Sequence, residues 1–115
     1  MRRGDIVLID FDPARPGEVD KRRPAVLVSN DGANSTATRL GRGVVTVVPV
    51  TSNVARVHPF QVMLPAELTG LRHDSKAQAE QVRSIAFDRI GPQLGRVPAR
   101  LMSDLDDSLR LHLSL

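Results

Sequence analysis

The sequence of 115 residues contains no cysteine, no tryptophan and no tyrosine. Without cysteine it has no disulfide bond, no thiolate metal site and no cysteine nucleophile, which is consistent with a reducing compartment. It also lacks any window approaching the ~20 apolar residues of a membrane span. Its start, Met1-Arg2-Arg3-Gly4-Asp5, has neither the apolar run nor the cleavage site of a signal peptide. We therefore expect a cytoplasmic protein that does not enter a membrane.

The short motifs of several enzyme classes are absent as well. No glycine-rich phosphate-binding loop precedes a helix, and neither histidines nor carboxylates recur at the spacing of metal ligands. His58 and His73 lie in predicted loops, and because histidine is a common proton-transfer group they are open candidates, although nothing in the sequence places them beside each other. His112 is expected on the surface of a C-terminal helix. The sequence thus predicts neither a metal nor a cofactor.

The formal net charge of +3 comes almost entirely from arginine, because Lys21 and Lys76 are the only lysines. Arginine binds phosphate through two parallel hydrogen bonds and stacks on bases, so this bias favours a nucleic-acid partner. A GC-rich coding sequence would produce the same bias without any function. The composition alone leaves both interpretations open.

The hydrophobic pattern predicts an α+β protein that is mainly β, with one domain spanning residues 1–115. Pro49 falls inside the strongest strand, and because proline lacks an N–H it is expected at a sheet edge or a bulge. A leucine at every fourth position predicts a helix over residues 99–115. We expect a small barrel or curled sheet with this helix packed on it. Strands are predicted at residues 5–11, 25–28, 44–50, 61–64 and 95–97, with one or two between 75 and 84, and loops at 12–22 and 30–42.

Two segments have residues that suit phosphate chemistry. In the first, Lys21, Arg22 and Arg23 precede Pro24 at a junction between loop and strand. A run of charges is usually just solvated, or protects a sheet edge. In the alternative interpretation, Pro24 and the strand behind it fix an arginine that stabilises the negative charge of a pentavalent phosphorane.

The second segment, Thr51-Ser52-Asn53, ends a predicted buried strand. These residues are common in turns, which is the simpler explanation. A hydroxyl here would also be placed to bind the scissile phosphate of RNA. Because RNA contains its own nucleophile, the 2′-hydroxyl, an enzyme needs only positioning, charge stabilisation and proton transfer. One arginine and one threonine would then suffice without a metal.

In order and spacing, these and other segments resemble the MazF/PemK toxins, and the resemblance covers nearly the whole chain. The matching segments are Arg3-Gly4-Asp5-Ile6, Gly17-Glu18, residues 21–31, Val50-Thr51-Ser52-Asn53, Asp74-Ser75, Glu80-Gln81-Val82-Arg83 and the leucine-rich C-terminal helix.

The resemblance implies an SH3-like barrel of the kind shared with the CcdB toxins, assembled as a two-fold homodimer with RNA across its interface. It implies sequence-specific cleavage of single-stranded RNA to 2′,3′-cyclic phosphate and 5′-hydroxyl ends, as in an mRNA interferase that inhibits translation. A cognate antitoxin is expected to block the site, through a disordered acidic tail that folds on binding.

By position, the resemblance implies that Arg23 and Thr51 are the catalytic residues, and that residues 12–21 close over RNA. Gly17 stands where many members have serine, and Val7 where many have an aromatic residue, so arginine planes and amide edges are expected to read more of the RNA. The residues expected to bind RNA are Lys21, Arg22, Ser52, Asn53, Glu80 and Gln81.

Two other functions remain alternatives at this stage. One is a non-nuclease toxin like CcdB that binds a protein such as gyrase, a role that does not need Arg23 and Thr51. The other is a module that binds RNA without cleaving it. Within the nuclease hypothesis, the residues leave the general acid and base open among Thr51, a water molecule and His58.

Overall fold

Seven strands and three helices make up the part of the chain that the computed structural model describes, residues 1–11 and 22–115. Of the loop expected over 12–22, residues 12–21, with Gly17 and Lys21, lie outside the described residues, whereas Arg22 is not in a loop but begins the second strand. No helix in the described part is long and apolar enough to cross a membrane. The strands are β1 (Asp5–Asp10), β2 (Arg22–Leu27), β3 (Val44–Thr51), β4 (Gln61–Leu64), β5 (Ser75–Gln78), β6 (Arg83–Ala86) and β7 (Ile90–Arg96). The helices are α1 (Asp31–Leu40), α2 (Ala66–Thr69) and α3 (Ala99–Leu113), with 3₁₀ turns at Ala79–Gln81 and Phe87–Arg89.

All strand pairs are antiparallel, and the sheet runs in the order β4-β5-β3-β2-β1-β7, with β6 also paired to β3. This confirms the expected mainly-β class and its C-terminal helix. Within the described residues the two end strands, β4 and β7, are not hydrogen-bonded to each other, so the sheet is not closed. The segment expected to hold one or two strands, 75–84, contains two.

Pro49 marks the point at which β3 changes partners. On one side β3 pairs with β2; on the other it pairs with β6 through Val47 and with β5 from Val50 onward. The Val28 N–H donates to the Thr46 carbonyl at 2.9 Å, so the even-numbered residues of β3 direct their backbone groups toward β2. Pro49 therefore faces the gap between β6 and β5, where no ladder hydrogen bond requires an N–H. It lies in a central strand rather than at an edge.

The sheet buries apolar side chains on both faces, because successive residues of its inner strands alternate between two clusters. Val26 and Val48 face α3, which contributes Leu101 and Leu105. The opposite cluster contains Ala25, Leu27, Val45 and Val47, together with Ile9 and Phe11 of the first strand and its end. Burial of both faces holds β2 and β3 firmly at the centre of the molecule.

The predicted helix at the C-terminus is confirmed, and α3 is tied to the N-terminus by Arg3. The Arg3 guanidinium donates to the Val28 carbonyl at 2.8 Å and to the Asp106 carboxylate at 2.6 Å. Of the leucine stripe, Leu101 and Leu105 are buried, whereas Leu113 is half exposed. Leu109 is partly buried against the same cluster, so only the last turn of α3 extends beyond the packed surface.

The expectation of a loop over 30–42 is wrong, because α1 occupies most of this segment. Asn, Ser and Thr have weak helix propensity, which favoured the loop. Two caps oppose that preference: the Asn30 side chain accepts the Ala33 N–H, and Gly41 ends the helix in a left-handed conformation. The Asn34 side chain is fully buried and donates to the Ser29 carbonyl at 2.8 Å. Tertiary burial and the caps together outweigh propensity.

The first residue of α1 also contacts the N-terminal segment. The Arg3 backbone N–H donates to the Asp31 carboxylate at 2.7 Å, and this hydrogen bond lowers the pKa of that carboxyl below its ordinary value. A carboxylate in the first turn also interacts favourably with the helix dipole.

The last strand, β7, begins earlier than the expected 95–97. Its first half lacks hydrophobic alternation, so the sequence pattern does not indicate a strand there. It pairs with β1 in an irregular register that shifts twice, and Pro92 is accommodated on its exposed outer edge. Irregular, exposed pairing of this kind leaves little pattern in the sequence.

Gly95 lets β7 approach the segment that follows α2. A Cβ at position 95 would lie 2.1 Å from the Thr69 carbonyl oxygen, and neighbouring Gly70 has φ +82°. This backbone contact spans the side of the sheet where β4 and β7 are not paired.

We expect Gly95→Ala to destabilise the protein by about 1–3 kcal/mol, because the clash is with backbone and cannot be relieved by a rotamer change. Urea unfolding followed by circular dichroism measures the loss. Gly41→Ala is the comparison, since a Cβ there meets nothing within 4 Å and only the φ of +66° is strained. A loss at Gly95 no larger than that at Gly41 would contradict the steric explanation.

Candidate active site

Arg23 and Thr51 lie on adjacent strands at one end of the sheet. Pairing between β2 and β3 ends at Ala25–Pro49, and each of the two residues lies two positions beyond that pair. Because side chains alternate along a strand, Arg23 and Thr51 project from the same face as Ala25 and Pro49. Arg23 is exposed and Thr51 is half buried. The structure therefore brings together the two residues expected to be catalytic.

Arg83 adds a second guanidinium on this face. It is directly opposite Val47 in the β3–β6 register, and its guanidinium carbon lies 5.1 Å from the centre of the Phe11 ring. Phe11 follows β1 on the side of Ile9, the residue opposite Arg23. We call Phe11, Arg23, Thr51 and Arg83 the Arg23 face. Within the described residues, no carboxylate forms an ion pair with the guanidinium of Arg23 or of Arg83.

The chain after Thr51 turns as its sequence predicts. The Thr51 hydroxyl oxygen accepts the Asn53 N–H at 3.2 Å, and the Asn53 side-chain oxygen accepts the Ala55 N–H at 3.3 Å. Both side chains therefore shape the turn, and the Thr51 hydroxyl keeps its own proton to donate.

Ser52 does not share the Arg23 face. It is exposed and lines a cavity of about 430 Å³ together with Pro24, Val50 and Leu71. Alternation places Pro24 and Val50 on the α3 side of the sheet, so the structure separates Ser52 from Thr51. Arg72 and His73 stand at the same cavity.

The Glu80 carboxylate accepts hydrogen bonds from another side chain of the protein. Both of its carboxylate oxygens accept the side-chain amide of Gln61, at 2.8 and 3.2 Å. The Gln61 side-chain oxygen in turn accepts the backbone N–H of His58 at 3.1 Å. Glu80 thus helps to hold the chain before β4, while Gln81 in the same 3₁₀ turn is exposed.

The histidines are distributed as the sequence suggested. The His58 ring stacks on Phe60, with centroids 5.0 Å apart and planes inclined by 6°. In the described part of the chain it makes no side-chain hydrogen bond to Thr51 or Arg23. His73 is exposed, and His112 is exposed on α3, as expected.

The remaining predicted cations differ in position. Arg22 is exposed, opposite Asp10 in the register, and alternation directs it to the face away from Arg23. Lys21 lies outside the described residues. Among residues 1–11 and 22–115, no three His, Asp or Glu side chains come close enough to hold a metal ion.

Sequence reasoning missed three residues near this end of the sheet: Phe11, Arg83 and Lys76. Lys76 is opposite Thr51 in the β3–β5 register and is only 8% exposed. Arg83 ends the Glu80-Gln81-Val82-Arg83 segment, which is a sequence signal for it, but its contact with Phe11 joins elements far apart in sequence. The Arg23 face can bind an anionic strand, stabilise added negative charge at a phosphate and donate a hydrogen bond from a hydroxyl.

We expect Arg83→Gln to weaken binding of a single-stranded oligoribonucleotide and to flatten the dependence of log K on log salt by about 0.7, the contribution of one phosphate contact. Fluorescence anisotropy at several salt concentrations measures both quantities. Arg39→Gln, on exposed α1 at the opposite end of β3, is the control. If the two variants show the same dependence of log K on log salt, Arg83 does not contact a phosphate of the RNA.

Residues 2–113 match the family described as PemK-like, MazF-like toxin of type II toxin-antitoxin system. Over 115 residues the chain is 63% identical to Endoribonuclease MazF9 of Mycobacterium tuberculosis, covering all of this chain and 98% of that protein. It is 25% identical over 116 residues to Endoribonuclease EndoA of Bacillus subtilis, covering all of this chain and 96% of that protein.

Solved structures have the same fold. The crystal structure of MazF (Form-I) from Deinococcus radiodurans matches with a TM-score of 0.77 and 29% identity, covering all of this chain and 97% of that one. A MazE-MazF structure (Form-II) from the same organism gives a TM-score of 0.75 at 29% identity, covering 100% and 96%. The family match over nearly the full length, the close relative and the shared fold together show that the chain belongs to the PemK-like, MazF-like toxins of type II toxin–antitoxin systems.

Proposed function

We propose that this protein is a cytoplasmic endoribonuclease toxin that cleaves single-stranded RNA at specific sequences without a metal ion. The observation that carries the proposal is the position of Arg23 and Thr51, side by side on one face just beyond the last β2–β3 pair. The relatives named endoribonuclease support the reaction class.

The proposed reaction uses the nucleophile that RNA supplies. The 2′-hydroxyl gives its proton to a water molecule and forms a bond to the adjacent phosphorus, while the bond from phosphorus to the 5′ oxygen breaks. The leaving oxygen takes a proton from water, so the products are a 2′,3′-cyclic phosphate and a 5′-hydroxyl. Arg23 remains charged and stabilises the negative charge that accumulates on the phosphorane oxygens. Thr51 donates its hydroxyl proton in a hydrogen bond to a phosphate oxygen.

Around this pair, Arg83 binds a neighbouring phosphate and Gln81 reads a base through its exposed amide. Lys21, Arg22, Ser52 and Asn53 remain proposed RNA contacts, with Ser52 and Arg22 on the other side of the strand ends. Glu80 contacts RNA through the lone pairs that Gln61 leaves open.

Cleavage of messenger RNA would inhibit translation, and a cognate antitoxin would neutralise the enzyme. Structures of relatives with MazE or with a cognate antitoxin support such a partner. We further propose a two-fold homodimer as the active unit. A CcdB-like toxin that binds gyrase is not favoured, because the relatives at 63% and 25% identity are both named endoribonucleases.

We expect the purified protein to cleave a long single-stranded RNA at full rate in excess EDTA, because positioning and a fixed positive charge suffice for attack by the 2′-hydroxyl. Mapping of the 5′ ends and phosphatase treatment of the 3′ ends identify the sites and the cyclic phosphate. A requirement for added divalent metal would overturn the mechanism. Gyrase captured while RNA stays intact would support the other toxin class.

Arg23→Ala is expected to lower kcat by about 10²-fold or more, as loss of a fixed donor to a developing anion does elsewhere. Its circular dichroism and thermal transition should match the wild type, because the side chain is exposed. Arg39→Ala, an exposed arginine on α1, should cleave normally. Near wild-type turnover by Arg23→Ala would remove this residue from the catalytic role.

A further inference from the structure

Lys76 is buried in the middle of the short strand β5. It lies between Thr51 of β3 and Met63 of β4 in the register, so these three residues form a row on one face of the sheet. Only 8% of Lys76 is exposed. Nothing in the proposed chemistry uses it.

The ammonium group of Lys76 donates to the backbone carbonyl of Arg56 at 2.5 Å. No carboxylate in the described part of the chain lies within ion-pair distance of it. Removing a charge from water is unfavourable unless hydrogen bonds compensate, and an apolar residue would fill this row at lower cost. The contact with the loop is therefore the feature of the structure that accounts for a lysine here.

Arg56 belongs to the loop of residues 52–60, which connects Thr51 to β4. The other end of this loop is held by Gln61, whose side chain accepts the backbone N–H of His58 and donates to the Glu80 carboxylate. Its first residues are fixed by the Thr51 and Asn53 turns. Between these two anchors, the Lys76 hydrogen bond is the attachment that draws the middle of the loop onto the sheet.

The loop presents polar side chains to solvent directly beside Thr51. Ser52, Asn53 and Arg56 are all exposed. Amide and guanidinium groups are the ones that read base edges and backbone in single-stranded RNA. Their positions relative to Thr51 depend on where the loop backbone is held.

We propose that Lys76 is a positioning residue that sets the cleavage-site preference of the enzyme by fixing the loop of residues 52–60 beside Thr51. This inference rests on the proposed ribonuclease function. Without the ammonium, the loop samples several arrangements, so the preferred RNA binds less tightly while the Arg23–Thr51 pair itself is unchanged.

The test compares Lys76→Met, which keeps the length of the stem and removes the donor, with Lys76→Arg, which keeps a charged donor. For Lys76→Met we expect a rise in KM of about 10-fold on an oligonucleotide containing the preferred site, with kcat within about 3-fold of the wild type. Mapping of 5′ ends on a long RNA should show cleavage spread over additional sequences. Lys76→Arg should restore much of the selectivity.

Arg39→Met is the matched control, because it removes one positive charge at the opposite end of β3, roughly 25 Å from Thr51. Its KM and cleavage pattern should equal those of the wild type. A Lys76→Met protein with unchanged KM and cleavage pattern would overturn the proposal. So would a fall in kcat and thermal stability with the pattern preserved, since that result indicates a purely structural role.

Amide hydrogen exchange separates this inference from the ribonuclease proposal. In Lys76→Met, exchange should accelerate for the loop of residues 52–60 and stay unchanged in β2 and β3. If the wild type shows no cleavage, the ribonuclease proposal fails while the loop result still stands. If the wild type cleaves and loop exchange is the same in both proteins, the positioning role of Lys76 fails alone.

Discussion

The antiparallel pairing of β2 with β3 is the constraint on which the candidate site depends. Both strands are buried on both faces by alternating apolar residues, so a slip of one residue would move each set to the wrong cluster. The same register that packs Val26 and Val48 toward α3 brings Arg23 and Thr51 to one face where the strands separate. The geometry of the site thus follows from packing energetics in the core.

Pro49 lies where this arrangement changes within a single long strand. Since it has no N–H to donate, it fits the position where β3 leaves β6 and joins β5. The change of partner gives β3 three neighbours: β2 with Arg23, β6 with Arg83, and β5 with Lys76. One strand therefore places two exposed guanidinium groups and a buried lysine around its own terminal threonine.

Charge and burial distinguish the roles of these cations. Arg23 and Arg83 are exposed, and in the described structure no carboxylate neutralises them, so their charge is available to a ligand. Arg3, by contrast, pairs with Asp106 and ties α3 to the N-terminus. Lys76 uses its donor on the backbone of its own loop. Counting arginines and lysines in the sequence cannot make this distinction, because partners are set by tertiary contacts.

Local patterns in the sequence determined most strands, the helix at the C-terminus and the two segments that contain Arg23 and Thr51. These features depend on neighbours in the chain: alternation, a leucine at every fourth residue, and a proline after three cations. The tertiary structure decided the rest. It made a helix of residues 31–40, where two caps and a buried Asn34 outweigh weak propensity. It also placed Arg83 against Phe11 and buried Lys76 beneath a loop. These contacts join residues distant in sequence, so they form and contribute to stability only once the sheet has folded.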